Sequence, residues 1–265
     1  MPGYRTLIGS AHSPVVLHVP HASRRVPESA RKRILLGDAA LGTELDRMTD
    51  TDTDLIAARA ALTVGERPWI FENLVSRLVV DPERFPDDRE EMRAVGMGAV
   101  YTRTSHGELL REEDSAYSRS LLDEFFDPYA QAMTELVEQR LAATGRAIII
   151  DVHSYPSRAL PYELHGDGVR PAVCLGTDEF HTPDWLLDAA REAFGGCGEI
   201  ALNTPFAGCY VPLRHYGRNR AVSALMLELR RDVYLTEPAG PQTAGFTALA
   251  GALSTLIERV AAPPV

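Results

Sequence analysis

Short, continuous apolar runs alternate along this chain with longer stretches in which apolar residues recur every three or four positions. The clearest run opens AIIIDVHSYP at 147–156, just after Gly145, and reads as a fully buried central strand. VVLHVP at 15–20 is a second, halted by Pro20, which has no N–H to give a sheet ladder. WIFEN at 69–73, SRLVV at 76–80, PAVCLG at 171–176, IAL at 200–202 and AVSALMLEL at 221–229 complete the expected strands. Helical spacing covers 29–36, 43–62, 109–144, 182–194 and 243–262. Pro128 is expected to kink or divide the third of these, and Gly145 to end it. Thr182 and Pro183 suit the N-cap and first position of the fourth. Residues 85–108, rich in Pro, Gly and charge, predict a lid or rim, since loops of that length in compact domains usually serve function. Strands alternating with helices, with no repeat and no linker, predict one domain over 1–265. The expected class is α/β: a three-layer α/β/α sandwich with a central mixed, mostly parallel sheet, phosphorylase- or hydrolase-like.

In such sheets ligands sit outside the carboxyl ends of the strands. Asp151 and His153 fall at one such end and His21 just beyond another. The plainer alternative for each is a turn-capping or core residue. Between 46 and 54 the chain carries Asp46, Asp50, Asp52 and Asp54, a density of charge that needs solvent or a nearby cation. A hydrolytic zinc site wants three N/O ligands and an open position for water. His21, Asp50 and His153 can supply the ligands, with His18 competing for His21 and Asp46 for Asp50. Glu228 is a lone carboxylate in an otherwise apolar strand; it is either paired to a neighbour such as Arg230 or held near a cation as a general base. Arg77 and Arg84 are permanently charged forks suited to carboxylates, or else structural partners of Asp81, Glu83 or Asp87.

Composition narrows the choice. A formal net charge of −10 over 265 residues argues against nucleic acid and anionic membrane, which need a basic face, and leaves room for a small anionic substrate held by local arginines. Three scattered cysteines without a CxxC pair suggest reduced thiols. The first ten residues lack a long apolar stretch, and no run approaches a membrane span, so a cytoplasmic protein is expected. A homo-oligomer stays open.

Taken in order, VPHAS, MTDTDTDLI, NLVSRLVVDPERF, GMGAVYTRTSHGELLR, IIIDVHSYP, NTPFAGCYVP and LMLELRRDVYL resemble the N-formylglutamate amidohydrolase family, from about Val15 to about Leu235. The resemblance implies a fold related to the zinc exopeptidases and one divalent metal, zinc, on His21, Asp50 and His153. It implies Glu228 as the catalytic glutamate, with Arg77, Arg84 and Asn203 facing the substrate. The activity it implies is hydrolysis of N-formyl-L-glutamate to formate and L-glutamate in histidine degradation. Members of that pathway commonly show S-P-H-S-G where this chain has Val19-Pro20-His21-Ala22-Ser23, a departure that bears on the exact substrate. The rivals are a related zinc amidase or peptidase acting on another N-acyl amino acid or peptide, and a binding module that has lost its metal.

Overall fold

The computed structural model describes residues 3–164, 166 and 168–262. In chain order the strands are β1 (Tyr4–Leu7), β2 (Val15–Val19), β3 (Trp69–Asn73), β4 (Ala147–Tyr155), β5 (Val173–Gly176), β6 (Ile200–Leu202) and β7 (Val222–Arg230). They form one seven-stranded sheet in the order β1-β3-β2-β4-β7-β5-β6. The four central strands β3, β2, β4 and β7 run parallel, while β1 and the β5–β6 pair run against them. The helices are α1 (Glu28–Arg31), α2 (Asp38–Met48), α3 (Thr53–Ala61), α4 (Ser115–Leu121), α5 (Asp127–Thr144), α6 (Asp184–Phe194) and α7 (Gly245–Ala261). No helix among the described residues is long and apolar enough to cross a membrane.

Side chains of a strand alternate between faces, and that alternation builds the layers. Leu17, Ile148, Ile150, Val152, Leu225 and Leu227 point to one face, where α3, α6 and α7 cover them. Val16, Phe71, Ile149 and Ala224 point to the other, against Tyr129, Met133, Leu136 and Val137 of α5. The same parity sends His18, Asp151, His153 and Glu228 to the α5 face. They lie from the midpoint of their strands toward the carboxyl ends, beyond the aliphatic residues Val16, Ile149 and Ala224 on that face. In register, His18 pairs with Asp151 and His153 with Glu228. Adjacent strands lie about 4.8 Å apart, so these side chains stand shoulder to shoulder.

Several local expectations need correction. The stretch 76–80 is a turn and not a strand: Val79 N–H bonds back to the Ser76 carbonyl at 2.8 Å, and the buried guanidinium of Arg111 takes the carbonyls of Leu78 and Val79. Its apolar residues are buried, but in satellite clusters beside the sheet. The helical stretch 43–62 is two helices, α2 and α3, because Thr49 is extended and Asp52 adopts a left-handed φ of 64°. Residues 109–114 precede α4 as loop; a π turn at Leu122–Phe126 then divides α4 from α5, with Pro128 in the first turn of α5, as expected of that proline. Thr182 does not cap α6; its hydroxyl accepts from Asp178 N–H and donates to the Ala224 carbonyl, leaving Pro183 at the cap. Strand β1 was not expected: it is short and half exposed, with little apolar signal.

Candidate metal centre and active-site cavity

A cavity of about 570 Å³ opens at the carboxyl edge of the parallel strands. His21 leaves β2 on a loop whose carbonyl accepts the Asp50 N–H at 3.0 Å, and this bond brings the α2–α3 break against the strand end. His21 Nδ1 then lies 3.2 Å from His153 Nδ1, His153 Nδ1 lies 3.0 Å from Asp50 Oδ2, and His21 Nδ1 lies 3.6 Å from the same oxygen. All three residues are buried. Donors arranged tetrahedrally at zinc bond lengths of 2.0–2.1 Å are about 3.3–3.4 Å apart, and these three edges bracket that value. The outer nitrogens are occupied as metal-ligating histidines require. His21 Nε2 faces Asp81 Oδ1 at 2.9 Å, and His153 Nε2 faces Asp151 Oδ1 at 3.1 Å and Glu83 Oε2 at 3.1 Å. With protons on those outer nitrogens, two imidazole lone pairs and a carboxylate oxygen converge on one point. The donor set therefore fits a divalent cation.

Sequence alternatives separate cleanly. Asp46 turns outward to Arg24 at 2.7 Å. His18 is fully buried away from the trio, with Nδ1 at 2.7 Å from Asp151 Oδ1 and Nε2 at 2.5 Å from the Tyr129 hydroxyl. Glu83 forms two further groupings of potential ligands, one with His18 and Asp151 and one with His21 and Asp81. Those groupings draw on His18 Nδ1 and His21 Nε2, the nitrogens that face Asp151 at 2.7 Å and Asp81 at 2.9 Å, so they use the outer partners of the histidines rather than the nitrogens that face each other.

The electrostatics follow from burial. Burial opposes charge on His153, yet Glu83, Asp151 and Asp50 outweigh it and hold the imidazole well above its usual range. His21 is also raised: burial and Arg77 oppose its charge, but Asp81 and Asp50 prevail. Burial pushes the Glu228 carboxyl up to about 8, with His153 pulling the other way. Glu228 is not the partner of Arg230, whose Nε donates to Asp232 at 2.7 Å. Among the described residues, Glu228 Oε2 is buried with no hydrogen-bond partner. Such a carboxylate in a cavity wall is poised to accept a proton.

The two arginines differ. Arg77 donates to Asp81 Oδ2 at 2.8 Å and to the Tyr101 hydroxyl at 3.0 Å, so it is largely committed to the protein. Arg84 comes only to 3.6 Å from Asp81 and 3.7 Å from Glu90, and its buried Nε has no hydrogen-bond partner among the described residues. Arg84 is thus the cation available to a ligand. Asn203 is not among the described residues lining the cavity; it is exposed, and both ends of its amide are tied to Thr177 at 2.8 Å. The sequence offered Asp81 as a structural partner of Arg77, and it is one, but the wider set of groups that support the site went unread. Asp81 accepts from Arg77, from Tyr101 at 2.5 Å and from His21; Arg231 braces Asp50 Oδ1 at 3.4 Å, Ser154 Oγ at 3.2 Å and the Arg47 carbonyl at 2.7 Å. The signal for Asp81 was its place between Arg77 and Arg84; for Arg231 only its position after β7 offered one.

The family model for N-formylglutamate amidohydrolase matches residues 13–235. The fold is similar to that of an N-formylglutamate amidohydrolase from Ralstonia eutropha JMP134, at a TM-score of 0.81 and 20% identity, covering 98% of each chain. It is also similar to a gene product of Agrobacterium tumefaciens, at a TM-score of 0.71 and 18% identity, covering 97% of this chain and 94% of the other. No curated protein matches the chain.

One prediction follows from the Asp81 hub. Asp81→Asn removes the countercharge of a largely buried Arg77 and should cost about 3–5 kcal/mol of unfolding free energy, read by urea denaturation. A variant within about 1 kcal/mol of the parent would mean that the pair contributes no strength.

Proposed function

Since the chain belongs to the N-formylglutamate amidohydrolase family, we propose that it hydrolyses N-formyl-L-glutamate to formate and L-glutamate, as one domain carrying one divalent ion, zinc. Histidine degradation in the cytoplasm is the setting this reading gives it. The observation that carries it is the meeting of His21 Nδ1, Asp50 Oδ2 and His153 Nδ1 beside Glu228, whose buried Oε2 has no hydrogen-bond partner among the described residues. Held by those three donors, a divalent ion supplies a Lewis acid for the formyl oxygen and lowers the pKa of water.

The protein's own groups do the rest. Glu228 takes a proton from the attacking water as the water oxygen bonds to the formyl carbon. It returns that proton to the amide nitrogen as the C–N bond breaks, leaving formate and the free amine. A carboxyl raised by burial suits both duties, because it neither holds nor releases a proton too firmly near neutral pH. Arg84 offers its fork to a substrate carboxylate, while Arg77 holds Asp81 and through it the orientation of His21. The cavity also has an aromatic wall of Phe85, Phe206 and Tyr216 and more room than a formyl group fills, which favours a second reading: hydrolysis of a longer N-acyl amino acid.

The test is release of formate and glutamate by the purified protein, abolished by a chelator and restored by zinc. A panel of N-acyl glutamates in the same assay ranks the two readings; no turnover of any member by the metal-loaded protein sinks both. In that assay Glu228→Gln keeps the side chain's shape but loses the basic oxygen. We expect kcat to fall by roughly two or more orders of magnitude while metal content persists. Near-normal turnover, or loss of the metal, would overturn the role given to Glu228. Arg84→Lys should raise KM for N-formylglutamate with little change in kcat, since lysine has no planar fork. An unchanged KM returns Arg84 to a structural role.

A further inference from the structure

Behind the candidate metal centre runs a line of buried hydrogen bonds that the hydrolysis itself does not use. Asp151 Oδ1 lies 3.1 Å from His153 Nε2 in an ion-pair contact and accepts a hydrogen bond from His18 Nδ1 at 2.7 Å, while Asp151 Oδ2 accepts the Tyr210 N–H at 3.3 Å. The remaining nitrogen of His18 faces the Tyr129 hydroxyl at 2.5 Å. His18, Asp151 and Tyr129 are all at most 1% exposed, so no water competes for these groups. Proton assignment is forced along the line. An ionised Asp151 only accepts, so His18 carries its proton on Nδ1 and His153 on Nε2. In the neutral imidazole His18 Nε2 is then an acceptor and Tyr129 donates; burial holds that phenol well above its ordinary range, so the proton is there to give. One end of the line is the outer nitrogen of a candidate metal ligand, and the other is anchored in α5 on the far side of the β2 ladder.

We propose that His18 and Tyr129 are positioning residues: through Asp151 they fix the tautomer and ring orientation of His153, and so set how tightly the centre holds a divalent ion. The inference rests on the metal reading above. Neither residue reaches the cavity wall, and neither touches substrate. Glu83 Oε1 also hydrogen-bonds His153 Nε2 at 3.2 Å, but Glu83 is partly exposed, whereas Asp151 is buried and is held as well by His18 and the Tyr210 N–H.

The experiment is the dissociation constant of Zn²⁺ for the full chain, measured by competition with a chromophoric chelator, with circular dichroism to confirm folding. His18→Gln should weaken binding by about 10–100-fold, the range for outer partners of metal-ligating histidines. Tyr129→Phe, which deletes only the hydroxyl, should weaken it by roughly three- to tenfold. Because Tyr129 acts only through His18, the double variant should bind no more weakly than His18→Gln alone. Phe71→Leu is the packing control, since Phe71 stacks against the His18 ring with centroids 6.3 Å apart and takes no part in the line. Folded His18→Gln and Tyr129→Phe proteins within twofold of the parent overturn the proposal. So does a double variant that shows the product of the two losses, or a Phe71→Leu protein as weakened as His18→Gln. A parent chain that binds no Zn²⁺ overturns the metal reading together with this one; a parent that binds, with unchanged variants, overturns this one alone.

Discussion

Removing a carboxylate from water costs several kcal/mol unless cations or N–H groups replace the solvent. Asp50, Asp81, Asp151 and Glu228 are all buried around one cavity, with Glu83 at its wall. The architecture of this end of the molecule answers that demand. Asp81 takes His21, Arg77 and Tyr101; Asp151 takes two imidazoles and a backbone N–H; Asp50 has Arg231 on one oxygen. The turn at 76–80 brings in Arg77, the turn after β7 brings in Arg231, and the helix break at Thr49–Asp52 sets Asp50 itself against the strand end. Glu228 Oε2 has no hydrogen-bond partner among the described residues, and burial raises this carboxyl to about 8.

Much of this was readable in the sequence wherever the cause is local. The isoleucines of β4, the stop at Pro20 and the left-handed Gly145 after α5 each follow from a few adjacent residues. Period-two alternation groups Ile149, Asp151 and His153 on one face of β4 and Ala224 and Glu228 on one face of β7, and the register between the strands then joins the two sets. The layers and the mixed sheet followed from the order of the elements.

What could not be read depends on distant partners. SRLVV has the composition of a strand, and only Arg111, more than thirty residues on, shows that its carbonyls are satisfied by a side chain rather than a ladder. His18 and His21 are equivalent in sequence; Tyr129 and Asp151 claim the first and leave the second to face His153. Asp46 and Asp50 were likewise level until Arg24 took one and the His21 carbonyl fixed the other. Asn203 has a left-handed φ of 53°, and its side chain serves the turn rather than the cavity.

The position of β4 has a kinetic consequence. Its neighbours on either side are β2 and β7, and the His21–His153 approach alone spans 132 positions of chain. Parallel neighbours so remote cannot be zipped from hairpins, so loop-closure entropy is lost before any of their contacts form. A partly folded chain can own helices, a buried turn or an edge pair, yet none of these subsets brings the cavity's acids and imidazoles together. The cavity therefore exists only where β2, β4 and β7 are paired, and its chemistry reports an assembled sheet rather than a collapsed chain.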